Sequence, residues 1–230
     1  IMRLIADAPA VNSKLQYIDS LRAIAILMVV MTHSDRFIVG LQSASIHFAN
    51  FGQMGVQLFF IVSAFTLCLT FDNRKNEEKS LSKFYIRRFF RIAPLYYFGI
   101  FLYFIYFSIG EPLLLDKQPT IAAKYTLTNI MANLFLVNDF VTGPANNKIV
   151  PGGWSIGTET TFYALFPFIF LLYKKFTDRK WAVVLIPLAG IAVCFGLVLL
   201  AMQLTGRPMQ NNSFLYFNII CQLPVFLFGM

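Results

Sequence analysis

Charge is scarce in this chain. Asp, Glu, Lys and Arg together make up 13% of its 230 residues, about half of the roughly 25% that a soluble domain carries. An ordinary water-soluble fold is thereby excluded. Histidine is nearly missing, with only His33 and His47. Cysteine is limited to Cys68, Cys194 and Cys221, all in apolar runs and none in a CxxC spacing. That pattern favours three small buried hydrophobes over a disulfide framework or a thiolate metal site. No metal site is expected. A cleavable signal peptide is not evident, because the first apolar run begins near Leu21 and no small-residue cleavage pattern follows it. Internal repeats and low-complexity tracts are also lacking.

What is present is apolar surface, at 57% of residues, with aromatics at 17%. Runs of roughly 20 apolar residues recur, each long enough to cross a hydrocarbon core of about 30 Å at about 1.5 Å per residue. Backbone groups in lipid must be satisfied within their own segment, so the fold class expected is all-α, a polytopic transmembrane helical bundle. Spans are read at Leu21–Val39, Gly52–Phe71, Phe89–Ile109, Trp154–Tyr173 and Trp181–Leu204, with a further apolar segment at Phe214–Met230. Residues 1–20 read as a polar lead. The weaker segment Thr126–Thr142 is helically spaced but interrupted by Asn129, Asn133, Asn138 and Asp139.

The net charge of +8 points to topology rather than to nucleic acid. Seven basic residues fall in 72–91, four in 174–180, and Arg3, Lys14 and Arg22 precede or open the first span. Fourteen of the nineteen thus fall on one side, which the positive-inside rule makes cytoplasmic. The parity then requires 111–153 to begin and end on the outer side, so Thr126–Thr142 is expected to be an interfacial or re-entrant helix, unless another span is misread.

An ionisable group within a span costs about 2.5–3.5 kcal/mol on insertion scales and is a functional-site hypothesis by default. His33 and Glu159 qualify. Arg22, Ile26, Val29, His33 and Arg36 share a helix face. His33 sits eleven residues beyond Arg22, roughly 16 Å further on, in the outer half. Glu159 lies five residues after Trp154, roughly 8 Å in from the outer end, with Ser155 and Tyr163 on its face. A base and a carboxylate thus reach similar depth from different segments. Such a pair suits removal of a proton from a hydroxyl during acyl transfer. It equally suits a structural tie between helices or a proton relay in a transporter. His47 reads as a solvated loop residue.

A third feature is FYIRRFFRIAPLYY, residues 84–97. Arg87, Arg88 and Arg91 crowd the start of the third span. Such clusters bind anionic lipid headgroups, and paired guanidinium groups near a helix start also suit a phosphate. Pro94 is expected to kink the helix or open its first turns.

Taken together these stretches resemble the membrane acyltransferase 3 family. YIDSLRAIAILMVVMTHS resembles its first-helix motif of an Asp and an Arg leading to a His. FGQMGVQLFFIVSAFTL resembles its second-helix Gly-Val-x-Leu-Phe-Phe pattern, with Gln57 and Ala64 as departures, while Ala23 departs in the first. RRFFRIAPLYY resembles its Arg-Arg-x-x-Arg then Pro-x-Tyr signature, and GGWSIGTETTFY its Trp-Ser-x-x-x-Glu signature. NIICQLPVFLFGM resembles a later Leu-Pro-x-Phe segment. The resemblance implies an integral membrane O-acyltransferase of the bacterial inner membrane. It would move an acetyl group from cytoplasmic acetyl-CoA, a donor substrate rather than a resident cofactor, to a hydroxyl of an outer-side carbohydrate or lipid-linked glycan. His33 would be the base, Glu159 its partner, Arg87, Arg88 and Arg91 the donor-phosphate site, and Arg22 a second donor contact. Beside the resemblance, a physical reading has Ser63, Ser155 and Tyr163 either lining the path of the pantetheine arm or making interhelical hydrogen bonds, the commoner role of such residues. Members of the family carry more spans than are read here, so residues 21–230 are expected to be part of the whole module. The alternative is a proton-coupled transporter with His33 and Glu159 as its relay.

Overall fold

The computed structural model describes residues 16–34, 51–115, 121–140, 149–176, 181–206 and 217–230. Among them every regular element is a helix, in line with the expected class. Four helices are long and apolar enough to cross a membrane: Met54–Asn73, Ser80–Leu114, Trp154–Phe176 and Ala182–Leu204. The protein is an integral membrane protein, and many of its large apolar side chains are exposed on these helices, as lipid contact requires. The chain falls into two units, residues 1–65 with Gly229, and residues 66–228 with Met230.

In the first unit, α1 (Gln16–Ser34) carries the first predicted span. It starts five residues before Leu21, and positions 35–39 of that span lie outside the described residues. The chain at Gly52 and Gly55, where α2 (Met54–Asn73) begins, lies directly on α1. A Cβ on Gly52 would collide with the Met28 carbonyl and the Thr32 hydroxyl, and one on Gly55 would stand 2.6 Å from the Ala25 carbonyl and 2.8 Å from Met28 Cβ. Small residues three apart let two backbones touch, which is how helices associate where lipid removes the hydrophobic drive.

In the second unit, α3 (Ser80–Ile105) passes through one π turn, Tyr106–Gly110, into α4 (Glu111–Leu115). The apolar stretch covers 35 residues, about 52 Å of helix. The start at Ser80 corrects the predicted start at Phe89. Lys and Arg stems lie along apolar surface while their charges reach water, so hydropathy alone places a basic helix start too late. The helix runs unbroken through Pro94, so of the two expected effects, a kink or an opening of the first turns, the opening does not occur. The π turn lies just before Pro112, which has no N–H to offer the preceding turn.

After α5 (Ile121–Lys124), the predicted Thr126–Thr142 segment forms α6 (Leu127–Leu134) and a 3₁₀ turn at Asn138–Phe140, its last two positions lying outside the described residues. Eight residues of α6 rise about 12 Å, far short of a crossing. The segment packs on the middle of α3. Tyr96 donates to Asn133 Oδ1 at 2.5 Å, Tyr97 to the Leu134 carbonyl at 2.6 Å, and Tyr125 to the Ile100 carbonyl at 2.8 Å.

After it come α7 (Trp154–Phe176), α8 (Ala182–Thr205) and α9 (Ile219–Gly229). α7 is antiparallel to α3: Tyr85 donates to the Ala164 carbonyl at 3.0 Å, and Gly153 lies against Tyr96. Between α2, α3 and α7 sits a ring cluster. Phe71 meets Phe84, Phe166 and Phe170 edge-on at 5.3, 5.5 and 5.3 Å, a preferred aromatic geometry. At the same end Lys174 reaches Asp72 at 2.7 Å, and Lys75 reaches it at 3.3 Å. The two main basic clusters therefore share one end of this unit.

Candidate functional site

The arginine cluster forms one wall of a pocket. Ser80, Phe84, Arg87, Arg88 and Arg91 lie at i, i+4, i+7, i+8 and i+11 of α3, all on one face. Thr70, Phe71 and Arg74 from the end of α2 face them across a cavity of about 210 Å³. The arginines thus stand two to three turns inside the helix rather than at its start, and the helix start contributes Ser80. The residue before it, Lys79, has left-handed backbone (φ 54°) and gives no side-chain cap.

The arginines are held differently. Arg88 donates to Thr70 Oγ1 at 3.3 Å, and its guanidinium lies over the rings of Phe84 and Tyr163, 5.9 and 5.5 Å from their centroids. Arg87 pairs with Glu77 at 3.1 Å, and Arg74 approaches the other oxygen of the same carboxylate at 3.8 Å. Arg91 is exposed.

Tyr163 carries the arrangement inward. It is 3% exposed, and its hydroxyl donates to Glu159, itself 4% exposed and one helical turn nearer the start of α7. Phe162 and Phe166, both fully buried, flank the pair, and Phe162 stacks on Phe226 at 4.0 Å. The sequence neighbourhood of Glu159 contains no basic residue, yet a guanidinium stands on the ring bonded to it. Arg88, Tyr163 and Glu159 form a connected row from the pocket into the interior. A buried carboxylate demands such donors.

The start of α7 is positioned by the 3₁₀ turn. A Cβ on Gly157 would come within 2.6 Å of Asn138 Oδ1 and 3.0 Å of the Asp139 amide. Asn138 donates to the Gly153 carbonyl at 2.9 Å. The Thr161 hydroxyl lies 3.3 and 3.4 Å from the two Asp139 oxygens, and Asn218 donates to the Asp139 carbonyl at 3.4 Å. Asp139 is completely buried, and that burial pushes its pKa up to about 6, with the Thr161 bond opposing. Thr158 donates to the Phe217 carbonyl at 2.8 Å. Sequence reading treated Asn133, Asn138 and Asp139 as interruptions of an apolar run. Each is instead a buried bonding node, and polar residues recurring in a segment too short to span were the available signal.

The remaining predicted site residues divide between the units. Arg22, half-buried and 3.3 Å from Asp19, Ser63, 3% exposed, and His33 belong to the first unit. His33 falls within α1, and its side chain lies outside the described residues, as do His47, Asp35 and Arg36. Ser155 donates to the Gly152 carbonyl at 2.9 Å, a local bond at the start of α7.

Comparison with known proteins agrees with this picture. The family profile described as "Acyltransferase domain" matches residues 15–230. The chain is 29% identical over 212 residues to the peptidoglycan O-acetyltransferase OatA of Listeria monocytogenes, covering 87% of this chain and 30% of that protein. It is 28% identical over 221 residues to the O-acetyltransferase OatA of Staphylococcus aureus strain NCTC 8325, covering 92% and 33%. It is 28% identical over 193 residues to the acyltransferase MdmB of Streptomyces mycarofaciens, covering 79% and 46%. The chain thus spans about a third of the length of the two O-acetyltransferases. No solved structure matches. With the Arg-Arg-x-x-Arg face and the Trp-Ser-x-x-x-Glu helix both in place, and a match that takes in all but the first fourteen residues, the chain belongs to the acyltransferase 3 family of membrane proteins.

Proposed function

We propose that this chain is the membrane-embedded part of an O-acyltransferase that moves an acetyl group from acetyl-CoA to a hydroxyl of a cell-envelope carbohydrate. The observation that carries the reading is the row from the arginine-lined pocket through Arg88 and Tyr163 to buried Glu159. Guanidinium groups bind phosphate bidentately and never lose their charge, so Arg87, Arg88 and Arg91 hold the nucleotide phosphates of the donor, with Arg22 as a further contact. The basic residues between α2 and α3 and at the end of α7 support a cytoplasmic pocket by the positive-inside rule. The setting is the bacterial inner membrane. The pantetheine arm runs inward past Tyr163, with Ser63 and Ser155 along its path, and presents the thioester near His33.

His33 then acts as general base. The acceptor oxygen attacks the thioester carbonyl carbon and its proton passes to the imidazole. That attack forms the C–O ester bond; collapse of the tetrahedral intermediate restores the carbonyl and breaks the C–S bond, and the proton returns to the departing sulfur of CoA. Glu159 orients the imidazole and stabilises the imidazolium. The relatives' names supply the acceptor class: two are O-acetyltransferases, one of them of peptidoglycan.

The test is saturable binding of acetyl-CoA to the full-length protein, lost in Arg88→Ala, together with loss of acetylated envelope glycan, read by mass spectrometry, in His33→Ala. Acetylation unchanged by His33→Ala would refute the mechanism. A transporter that used His33 and Glu159 as a proton relay has no need of CoA, so the binding measurement separates the two readings.

A further inference from the structure

A basic pocket at a membrane surface faces a constant competitor. Anionic lipid headgroups carry phosphate at high local concentration and are drawn to Lys and Arg beside the bilayer. Four guanidinium groups line this pocket, those of Arg74, Arg87, Arg88 and Arg91. One carboxylate touches two of them. Glu77 places Oε2 3.1 Å from Arg87 and Oε1 3.8 Å from Arg74. Its position is set by the turn between α2 and α3, where its amide donates to the Arg74 carbonyl at 3.1 Å. Asp72, the other acidic residue at this end with ion-pair partners, faces Lys174 and Lys75. Among the described residues, Glu77 is thus the carboxylate paired with arginines of the pocket.

We infer that Glu77 is a selectivity residue, a built-in counter-ion that keeps single phosphate groups out of the arginine pocket while a polyphosphate ligand displaces it. The inference rests on the donor-site reading above and adds to it. A ligand entering between Arg74 and Arg87 must take over the contacts that Glu77 makes. A single phosphodiester brings one negative charge and exchanges it for another, so it gains little. A nucleotide with a pyrophosphate and a terminal phosphate brings about four charges. It compensates the displaced carboxylate and still meets Arg88 and Arg91. Exposed ion pairs are individually weak, so the carboxylate yields to a polyanion without blocking it.

The experiment measures coenzyme A binding to the full-length protein in nanodiscs of phosphatidylcholine. Phosphatidylglycerol is added in one arm as the lipid source of phosphate, and inorganic phosphate in the other as the free source. In the wild type, the Kd for coenzyme A moves less than about twofold in either arm. In Glu77→Gln it rises roughly threefold or more with one or both competitors. Glu77→Asp, which keeps the charge, follows the wild type. The inference is overturned if Glu77→Gln and the wild type respond alike, or if Glu77→Asp behaves as Glu77→Gln. Arg88→Ala is the separate control: undiminished coenzyme A binding there overturns the donor-site reading itself.

Discussion

Gly157 offers a prediction whose sign depends on geometry alone. Adding one methyl group at this position places a Cβ 2.6 Å from Asn138 Oδ1 and 3.0 Å from the Asp139 amide, both below van der Waals contact. The obstacle is a buried turn bonded to Gly153 just before α7, to Thr161 within it and to Asn218, so it moves only by giving up those bonds. Overpacking of this kind costs about 1–3 kcal/mol. For a chain of this size that lowers the unfolding midpoint by about 2–12 °C. Gly99 in α3 and Gly196 in α8 are the controls, because a Cβ there meets nothing within 4 Å. Alanine at either removes the helix penalty of glycine and stabilises by about 0.5–1 kcal/mol. The assay is thermal unfolding of purified protein in one detergent, with the acetylation readout alongside, since Glu159 lies two residues further on in α7. If Gly157→Ala and Gly99→Ala shift the midpoint in the same direction, the close approach of turn and helix is refuted.

Tyr163→Phe removes a donor to buried Glu159 while keeping the ring beneath Arg88. Stability falls by about 1–3 kcal/mol and acetyl transfer falls with it, while acetyl-CoA binding changes little; unchanged turnover would exclude the tyrosine from the row. Asp139 makes stability depend on pH. Its folded pKa is raised from 3.8 to about 6, so the native state holds the proton more tightly than the unfolded chain. The resulting stabilisation is complete below about pH 4 and is lost as pH climbs through about 6. Asp139→Asn flattens the unfolding midpoint between pH 4 and 6, and a slope unchanged in that variant would count against the assignment.

The parts of the structure that could be read from sequence are those written within one segment. The spacing of Arg87, Arg88 and Arg91 shows their shared face, and Trp154 marks the start of α7 as expected. Extending the same spacing back through Phe84 to Ser80 would have found the true start of α3, but hydropathy gives weight to charge and misses apolar stems. What could not be read depends on partners distant in the chain. Tyr163 finds Arg88 on another helix, Asn133 finds Tyr96, and Asp139 finds Thr161 and Asn218. No local pattern announces these, because a polar residue in an apolar run looks the same whether it breaks the run or bonds across it. Glu77 was overlooked for a related reason: its charge was outvoted in a basic stretch, although its placement between two arginines gives it weight.

The phenylalanines between α2, α3 and α7 carry a consequence for how this end of the molecule responds to change. Phe71 meets three rings and Phe84 lies on Phe166, at 5.3 to 5.8 Å, so the end of α2 is clamped to α3 and α7 at once. Because Phe71 and Phe84 also line the arginine pocket, a change at either ring is felt by three helices and by the pocket wall together.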